Sequence, residues 1–131
     1  MNKESKRPIK VMIVEDDEDI LTLYSDYLSN KGYHVVARYT RANNIKEDLE
    51  TDPPDVYLIN SLLPGKKSGA EVATEILDIY PDAPILFITA DDRQPEDIEK
   101  NPVFREKKFD VLIKPVKLRE IEHSILDLLN K

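Results

Sequence analysis

Short apolar runs recur along this chain, and most of them are followed by apolar residues at the spacing of one helix face. Five runs are rich in aliphatic and β-branched residues, which is the composition of buried strands. They are Lys10–Val14, His34–Tyr39, Val56–Ile59, Ile85–Ile88 and Val111–Ile113. The pattern therefore predicts five β-strands.

Apolar residues at helical spacing lie between these strands and after the last one. Asp16 or Asp17 is predicted to cap the first helix, and Gly32 is predicted to end it. The apolar faces of four predicted helices are Ile20, Tyr24, Tyr27 and Leu28; Ile45 and Leu49; Val72, Ile76, Ile79 and Tyr80; and Leu118, Ile121, Ile125, Leu128 and Leu129.

Strands and helices alternate throughout, with one irregular segment. Pro95 and Pro102 interrupt residues 91–108, where we expect only a short or broken helix. Alternation of this kind predicts a parallel sheet with helices on both faces. Five strands fit the flavodoxin-like α/β order 2-1-3-4-5, in which strands 1 and 3 are neighbours. We expect one domain over residues 9–131 after a flexible tail of residues 1–8.

Four of the predicted strands run into polar residues of different chemical kinds. Glu15 and Asp16 follow strand 1, Asn60 follows strand 3, Thr89 follows strand 4 and Lys114 follows strand 5. The carboxyl ends of parallel strands meet at one edge, where open α/β sheets bind ligands. Adjacent carboxylates repel each other, and a divalent cation relieves that repulsion. These residue types suit a site for a metal and a phosphoryl group.

The composition narrows the classes of function. A length of 131 residues suits one domain, and a formal charge of -7 argues against direct nucleic-acid binding. The chain has no Cys, and His34 and His123 share no ligand spacing. The charged N-terminus is no secretory signal, and no apolar run reaches the length of a membrane span. We therefore expect a cytoplasmic protein with no membrane partner.

Four motifs, taken in order, resemble the receiver domain of two-component response regulators. They are VMIVEDDEDI, YLINSLLPG, ILFITA and VLIKP. The resemblance covers about residues 9 to 130, and all four motifs fall at predicted strand ends. It implies the same five-stranded fold.

The resemblance also implies a metal site. Glu15 and Asp16 would bind a divalent cation, usually Mg²⁺, and the backbone carbonyl of Leu62 would be a further ligand. Asn60 stands where the family has an Asp that is both phosphoacceptor and metal ligand. Because an amide oxygen is neutral, we expect Mg²⁺ binding to be weakened.

The phosphoryl chemistry of the family depends on residues that this chain keeps only in part. Asn60 should not form an acyl phosphate, because its nitrogen lone pair is delocalised and its oxygen carries no full charge. Thr89 would contact a phosphoryl group and Lys114 would pair with its oxygens, and the bond from Lys114 to Pro115 is often cis in the family. Val111 stands where the family usually has Tyr or Phe.

These departures favour a natural pseudo-receiver that acts by protein–protein interaction. The first alternative is an ordinary receiver with an engineered Asp→Asn change at position 60. We expect a stand-alone domain that is not an enzyme. Its partner would be a sensor histidine kinase, a phosphotransfer protein or a downstream protein target, and its oligomeric state stays open.

Two further classes fit the residues less well. A haloacid-dehalogenase-like phosphatase would use the D-x-D spelling of Asp17 and Asp19, but these acids lie past the end of strand 1. A flavin carrier would need a loop that cradles a phosphate after strand 1, and the acids found there would repel one.

Overall fold

The computed structural model describes residues 7–39, 53–60 and 68–130. Its sheet has five parallel strands in the order β2-β1-β3-β4-β5. The strands are β1 (Lys10–Val14), β2 (His34–Tyr39), β3 (Val56–Asn60), β4 (Ile85–Thr89) and β5 (Phe109–Ile113). The helices within the described ranges are α1 (Glu18–Asn30), α2 (Gly69–Ile79), α3 (Gln94–Lys100) and α4 (Leu118–Leu129). The predicted fold class and strand order are confirmed.

Helices cover both faces of the sheet. Side chains of successive strand residues point to opposite sides, so the apolar strands have two faces to bury. One core contains Leu58 of β3 with buried residues of α1 and α4, including Leu28 and Ile125. The other contains Ile59 of β3 with buried residues of α2 and α3, including Ile76. The helix predicted at residues 45–49 lies outside the described residues. None of the helices described is both long and apolar enough to span a membrane.

The ends of α1 follow from local side-chain chemistry. The Asp17 carboxylate accepts hydrogen bonds from the backbone N–H groups of Asp19 at 2.9 Å and Ile20 at 3.2 Å. These groups have no partner within the helix, so the acid both caps it and complements its dipole. Gly32 follows the helix with φ of +95°, a conformation that favours glycine. Of the two predicted caps, Asp16 and Asp17, the structure uses Asp17, and the predicted stop at Gly32 is confirmed.

The segment after β4 forms the short helix that the prolines indicated, although they begin helical turns rather than interrupt them. Pro95 lies in the first turn of α3, where a backbone N–H is not needed. Pro102 begins a 3₁₀ turn that ends at Phe104. The Phe104 ring packs against Phe87 at 5.6 Å and Phe109 at 6.0 Å between centroids. These ring contacts attach the segment to β4 and β5.

Strand β5 begins at Phe109, two residues before the predicted start at Val111. The polar Asp110 concealed this part of the strand from the hydrophobic pattern. Its carboxylate accepts hydrogen bonds from the Ser124 hydroxyl at 2.6 Å and the Val111 N–H at 2.9 Å. The acid is thus satisfied between the sheet and α4, and the strand continues through it.

Arg7, in the predicted N-terminal tail, is tied to the start of β3. Its guanidinium donates to both oxygens of Asp55, at 2.6 and 2.8 Å. Asp55 also accepts a hydrogen bond of 2.8 Å from the Lys10 N–H. The hydrogen bond from Arg7 and that from Lys10 hold the pKa of Asp55 below its usual value. Residues 1–6 of the predicted tail lie outside the described residues.

Phe104→Ala is expected to lower the free energy of unfolding by about 3–5 kcal/mol, because it leaves a cavity among buried rings. Val103→Ala is the matched control, since Val103 is 40% exposed, and it should cost less than about 0.5 kcal/mol. Urea unfolding of both variants measures the difference. Equal losses would show that the Phe104 ring does not hold the segment.

Arg7→Gln should destabilise the protein in a pH-dependent way. The depressed pKa of Asp55 adds stability that is present above its unfolded pKa and is lost as pH falls through its folded pKa. The difference between the unaltered chain and the variant should therefore be full at about pH 6 and should shrink in acid. Thermal unfolding across pH measures it, with Arg105→Gln as the control. A difference that does not change with pH would rule out this account.

Candidate functional site

The carboxyl edge of the sheet collects the polar residues that follow its strands. Asn60 ends β3, which pairs with β1, and Glu15 follows β1 directly. Thr89 ends β4 and lies beside Ile113 of β5, and Lys114 comes next in the chain. The parallel arrangement therefore brings all four predicted strand ends to the same edge.

Asn60 joins the acid pair that follows β1. Its Nδ2 donates to Asp16 Oδ1 at 2.6 Å and to Glu15 Oε2 at 3.2 Å. Asn60 is only 7% exposed. Because ionised carboxylates accept hydrogen bonds and cannot donate them, the amide presents its NH₂ group to both acids.

Glu15 is a buried carboxyl with several compensating contacts. It is 2% exposed, and burial raises its pKa, with the Asp16 carboxyl raising it further. The backbone N–H of Asp17, which donates at 3.2 Å, and the charge of Lys114 act in the opposite direction. Burial of a carboxylate destabilises the folded state unless the group is paired and hydrogen-bonded. The Asp17 N–H and Lys114 therefore stabilise Glu15 in its buried position.

Lys114 reaches across the sheet edge to this buried acid. Its Nζ lies 3.7 Å from Glu15 Oε1, although β3 and β4 separate β5 from β1 in the sheet. The Lys114 side chain is 26% exposed, so the ion pair is only partly shielded from water. The peptide bond between Lys114 and Pro115 is cis, as the resemblance led us to expect.

Thr89 lies at the same edge, and its hydroxyl bonds to the loop that follows β4. Its Oγ1 accepts a hydrogen bond of 3.0 Å from the Asp91 N–H, and its backbone carbonyl accepts one of 2.7 Å from the Lys114 N–H. Strand alternation also separates it from Asn60. Asn60 is two residues after Leu58, on the α1 and α4 side, whereas Thr89 is two residues after Phe87, on the α2 and α3 side.

The oxygen ligands available at this edge suit a divalent cation. Carboxylate and amide oxygens are the ligands that Mg²⁺ prefers. Within residues 7–39, 53–60 and 68–130, no three acidic, His or Cys side chains form a metal-binding cluster. Neutral oxygens and water would therefore have to complete the coordination of a cation at Glu15 and Asp16. Leu62, the fourth predicted ligand, lies outside the described residues.

The sequence reasoning missed two neighbours of the site. Tyr24 of α1 is buried, and burial together with the charge of Glu15 raises its pKa to about 12. Its place on the apolar face of α1 was the signal that put it near the sheet. The second neighbour is Asp91, whose backbone N–H donates to the Thr89 hydroxyl. No sequence signal indicated this contact, because acids are common in turns after strands.

Comparison with known proteins agrees with this geometry. The model of the response regulator receiver domain family matches residues 11–126. Among curated proteins, the alkaline phosphatase synthesis transcriptional regulatory protein PhoP of Bacillus subtilis (strain 168) is 30% identical over 122 residues. That match covers 93% of this chain and 49% of PhoP, so the chain spans about half the length of this relative.

Solved structures show the same fold at lower identity. A response regulator receiver domain protein from Clostridium thermocellum is 22% identical, with a TM-score of 0.79 over 93% of this chain and 94% of that chain. A chain in the CheX-CheY-BeF3-Mg+2 complex from Borrelia burgdorferi is 16% identical, with a TM-score of 0.81 over 100% of this chain and 96% of that chain. On the family match, this chain belongs to the response regulator receiver domain family.

Proposed function

We propose that this receiver domain acts by binding a protein partner and does not accept a phosphoryl group at position 60. The observation that carries the proposal is the Asn60 amide, which donates to both acids that follow β1. It stands where the resemblance expects an acceptor Asp. An amide lacks the charge and the available lone pair that make a carboxylate a nucleophile. The domain therefore serves a two-component system through its surface.

Mg²⁺ binding is part of the proposal, in weakened form. Glu15, Asp16 and Asn60 would hold the cation, with the Leu62 carbonyl as a further ligand. A bound cation would supply positive charge beside phosphoryl oxygens. An amide in place of a carboxylate removes one negative charge from the ligands, so the affinity for Mg²⁺ should be lower than with an Asp.

Lys114 and Thr89, the other two strand-end residues, make contacts that do not depend on phosphate. Lys114 compensates the buried Glu15 carboxylate, and the Thr89 hydroxyl accepts from the loop after β4. Removing the Lys114 ammonium would leave the buried Glu15 carboxylate with less compensation. Lys114 therefore stabilises Glu15, and Thr89 the loop after β4, even where no phosphoryl group is transferred.

The far end of the sheet lacks the aromatic residue that the resemblance expects at position 111. Val111 packs partly buried against the core on the α2 and α3 side and has no ring that could rotate inward. Phe104 anchors the neighbouring segment to β4 and β5. An allosteric switch needs two states with different contacts. The proposal is that a partner recognises one state of this domain.

The partner is a protein of a two-component pathway: a sensor histidine kinase, a phosphotransfer protein or a downstream target. The similar Borrelia burgdorferi chain comes from a complex that contains two proteins, CheX and CheY. It is a precedent for a receiver-like fold in a complex with another protein. The formal charge of -7 makes direct binding to nucleic acid unfavourable.

Incubation with a small phosphodonor and Mg²⁺ tests the proposal. The unaltered chain should gain no base-labile adduct, and Asn60→Asp should gain one, because it restores a carboxylate nucleophile. Intact-mass measurement followed by peptide mapping locates the label. Asn101→Asp is the matched control, since it makes the same change at a residue whose Oδ1 accepts from the Val103 N–H.

Labelling at position 60 of the unaltered chain would overturn the proposal. An Asn60→Asp variant that folds but takes no label would also count against it, because a feature other than the Asn60 amide would then prevent phosphorylation. Label on the Asn101→Asp control beyond that of the unaltered chain would mark the reaction as unspecific.

A further inference from the structure

The two carboxyls after β1 share one hydrogen-bond donor group. Asn60 Nδ2 lies 2.6 Å from Asp16 Oδ1 and 3.2 Å from Glu15 Oε2. Both distances join the same nitrogen to oxygens of two different acids. The amide therefore stands between the acids as a bridge, at the end of a strand that pairs with theirs.

A bridging NH₂ group stabilises two neighbouring carboxylates, as a bound cation would. Two carboxylates at close range destabilise each other's charged forms. An NH₂ group offers a hydrogen to each of them, and hydrogen bonds to ionised acceptors are stronger than those between neutral groups. An Asp at position 60 would instead add a third carboxylate, and a bound cation would relieve the repulsion that Lys114 alone then has to offset.

The remaining contacts of Glu15 complete this arrangement. Its Oε2 also accepts from the Asp17 N–H at 3.2 Å, and its Oε1 faces Lys114 Nζ at 3.7 Å. The buried acid thus has a backbone donor, an ammonium and the Asn60 amide around it. All of these belong to the chain itself.

We infer that the Asn60 NH₂ group replaces the cation at this edge, so that the acid pair is satisfied without a metal and Mg²⁺ binds only when this NH₂ group turns away from the acids. The inference rests on the proposed function, since it describes the regulation of the same site. With Asn60 in this role, the structure of the edge does not depend on Mg²⁺. The surface offered to a partner would then be the same with and without the cation.

Thermal unfolding of the full chain in EDTA and in millimolar Mg²⁺ tests the inference. A ligand that binds only the folded state raises the free energy of unfolding by RT ln(1 + [L]/Kd), so a cation that does not bind leaves it unchanged. The melting temperature of the unaltered chain should therefore stay nearly constant. Asn60→Asp should melt lower than the unaltered chain in EDTA and should recover when Mg²⁺ is added. Asn101→Asp, the charge-matched control, should show no Mg²⁺ response.

Asn60→Ala provides a second test that does not depend on a third carboxylate. It removes the bridge without adding charge, so it should gain a Mg²⁺-dependent rise in melting temperature that the unaltered chain lacks. Calorimetric titration should show that Mg²⁺ binds Asn60→Asp about tenfold more tightly, or more, than it binds the unaltered chain. One added charge shifts the pKa of a neighbouring group by about one unit or more, which is a tenfold change in an equilibrium constant.

Three results would overturn the inference. They are a Mg²⁺-dependent rise in the unaltered chain as large as in Asn60→Asp, no loss of stability of Asn60→Asp in EDTA, and a Mg²⁺ response of Asn60→Ala equal to that of the unaltered chain. Each of them leaves the phosphodonor result untouched. A phosphoryl adduct on Asn60 of the unaltered chain would instead contradict the proposed function itself, so the two failures are distinguishable.

Discussion

The buried carboxyl of Glu15 is the constraint on which the carboxyl edge of the sheet depends. A carboxylate that is 2% exposed is unfavourable unless donors and positive charge surround it. Asn60, the Asp17 N–H and Lys114 supply these from β3, from the turn after β1 and from the end of β5. The acid therefore couples strands that are not all neighbours in the sheet. Its requirements explain why an amide and a lysine face this edge whether or not phosphate is ever present.

The parallel sheet turns this local requirement into a candidate site. Hydrogen bonding of β3 to β1 puts Asn60 beside the acids, and pairing of β4 with β5 puts Lys114 next to Thr89. Side-chain alternation then divides the edge, with Asn60 on one face and Thr89 on the other. One edge thus keeps the residue types of a phosphoryl site while the hydrogen bonds among them satisfy the acids internally. This arrangement is the basis for the proposal that this member of the family acts as a binding surface.

The sequence predicted the elements well where a hydrophobic run had polar ends. The bounds of β1 and β2 were predicted to the residue, since His34 and Lys10 mark where their runs begin. The start of β5 was missed because Asp110 interrupts its pattern, and only the tertiary contact with Ser124 shows why an acid is tolerated there. At the site, strand order predicted that Asn60 would lie beside Glu15. It could not predict that the amide nitrogen would bridge both acids, because that depends on side-chain rotation.

The side-chain amide resonances of Asn60 test the central claim most directly. In a nitrogen-15-labelled full chain, with Asn60→Ala to assign the signals, both NH₂ hydrogens are expected to be protected from solvent exchange in EDTA. Their shifts and protection should stay unchanged when millimolar Mg²⁺ is added, because the bridge already satisfies the acid pair. Rapid exchange of these hydrogens in EDTA, or protection that arises only with Mg²⁺, would contradict the account.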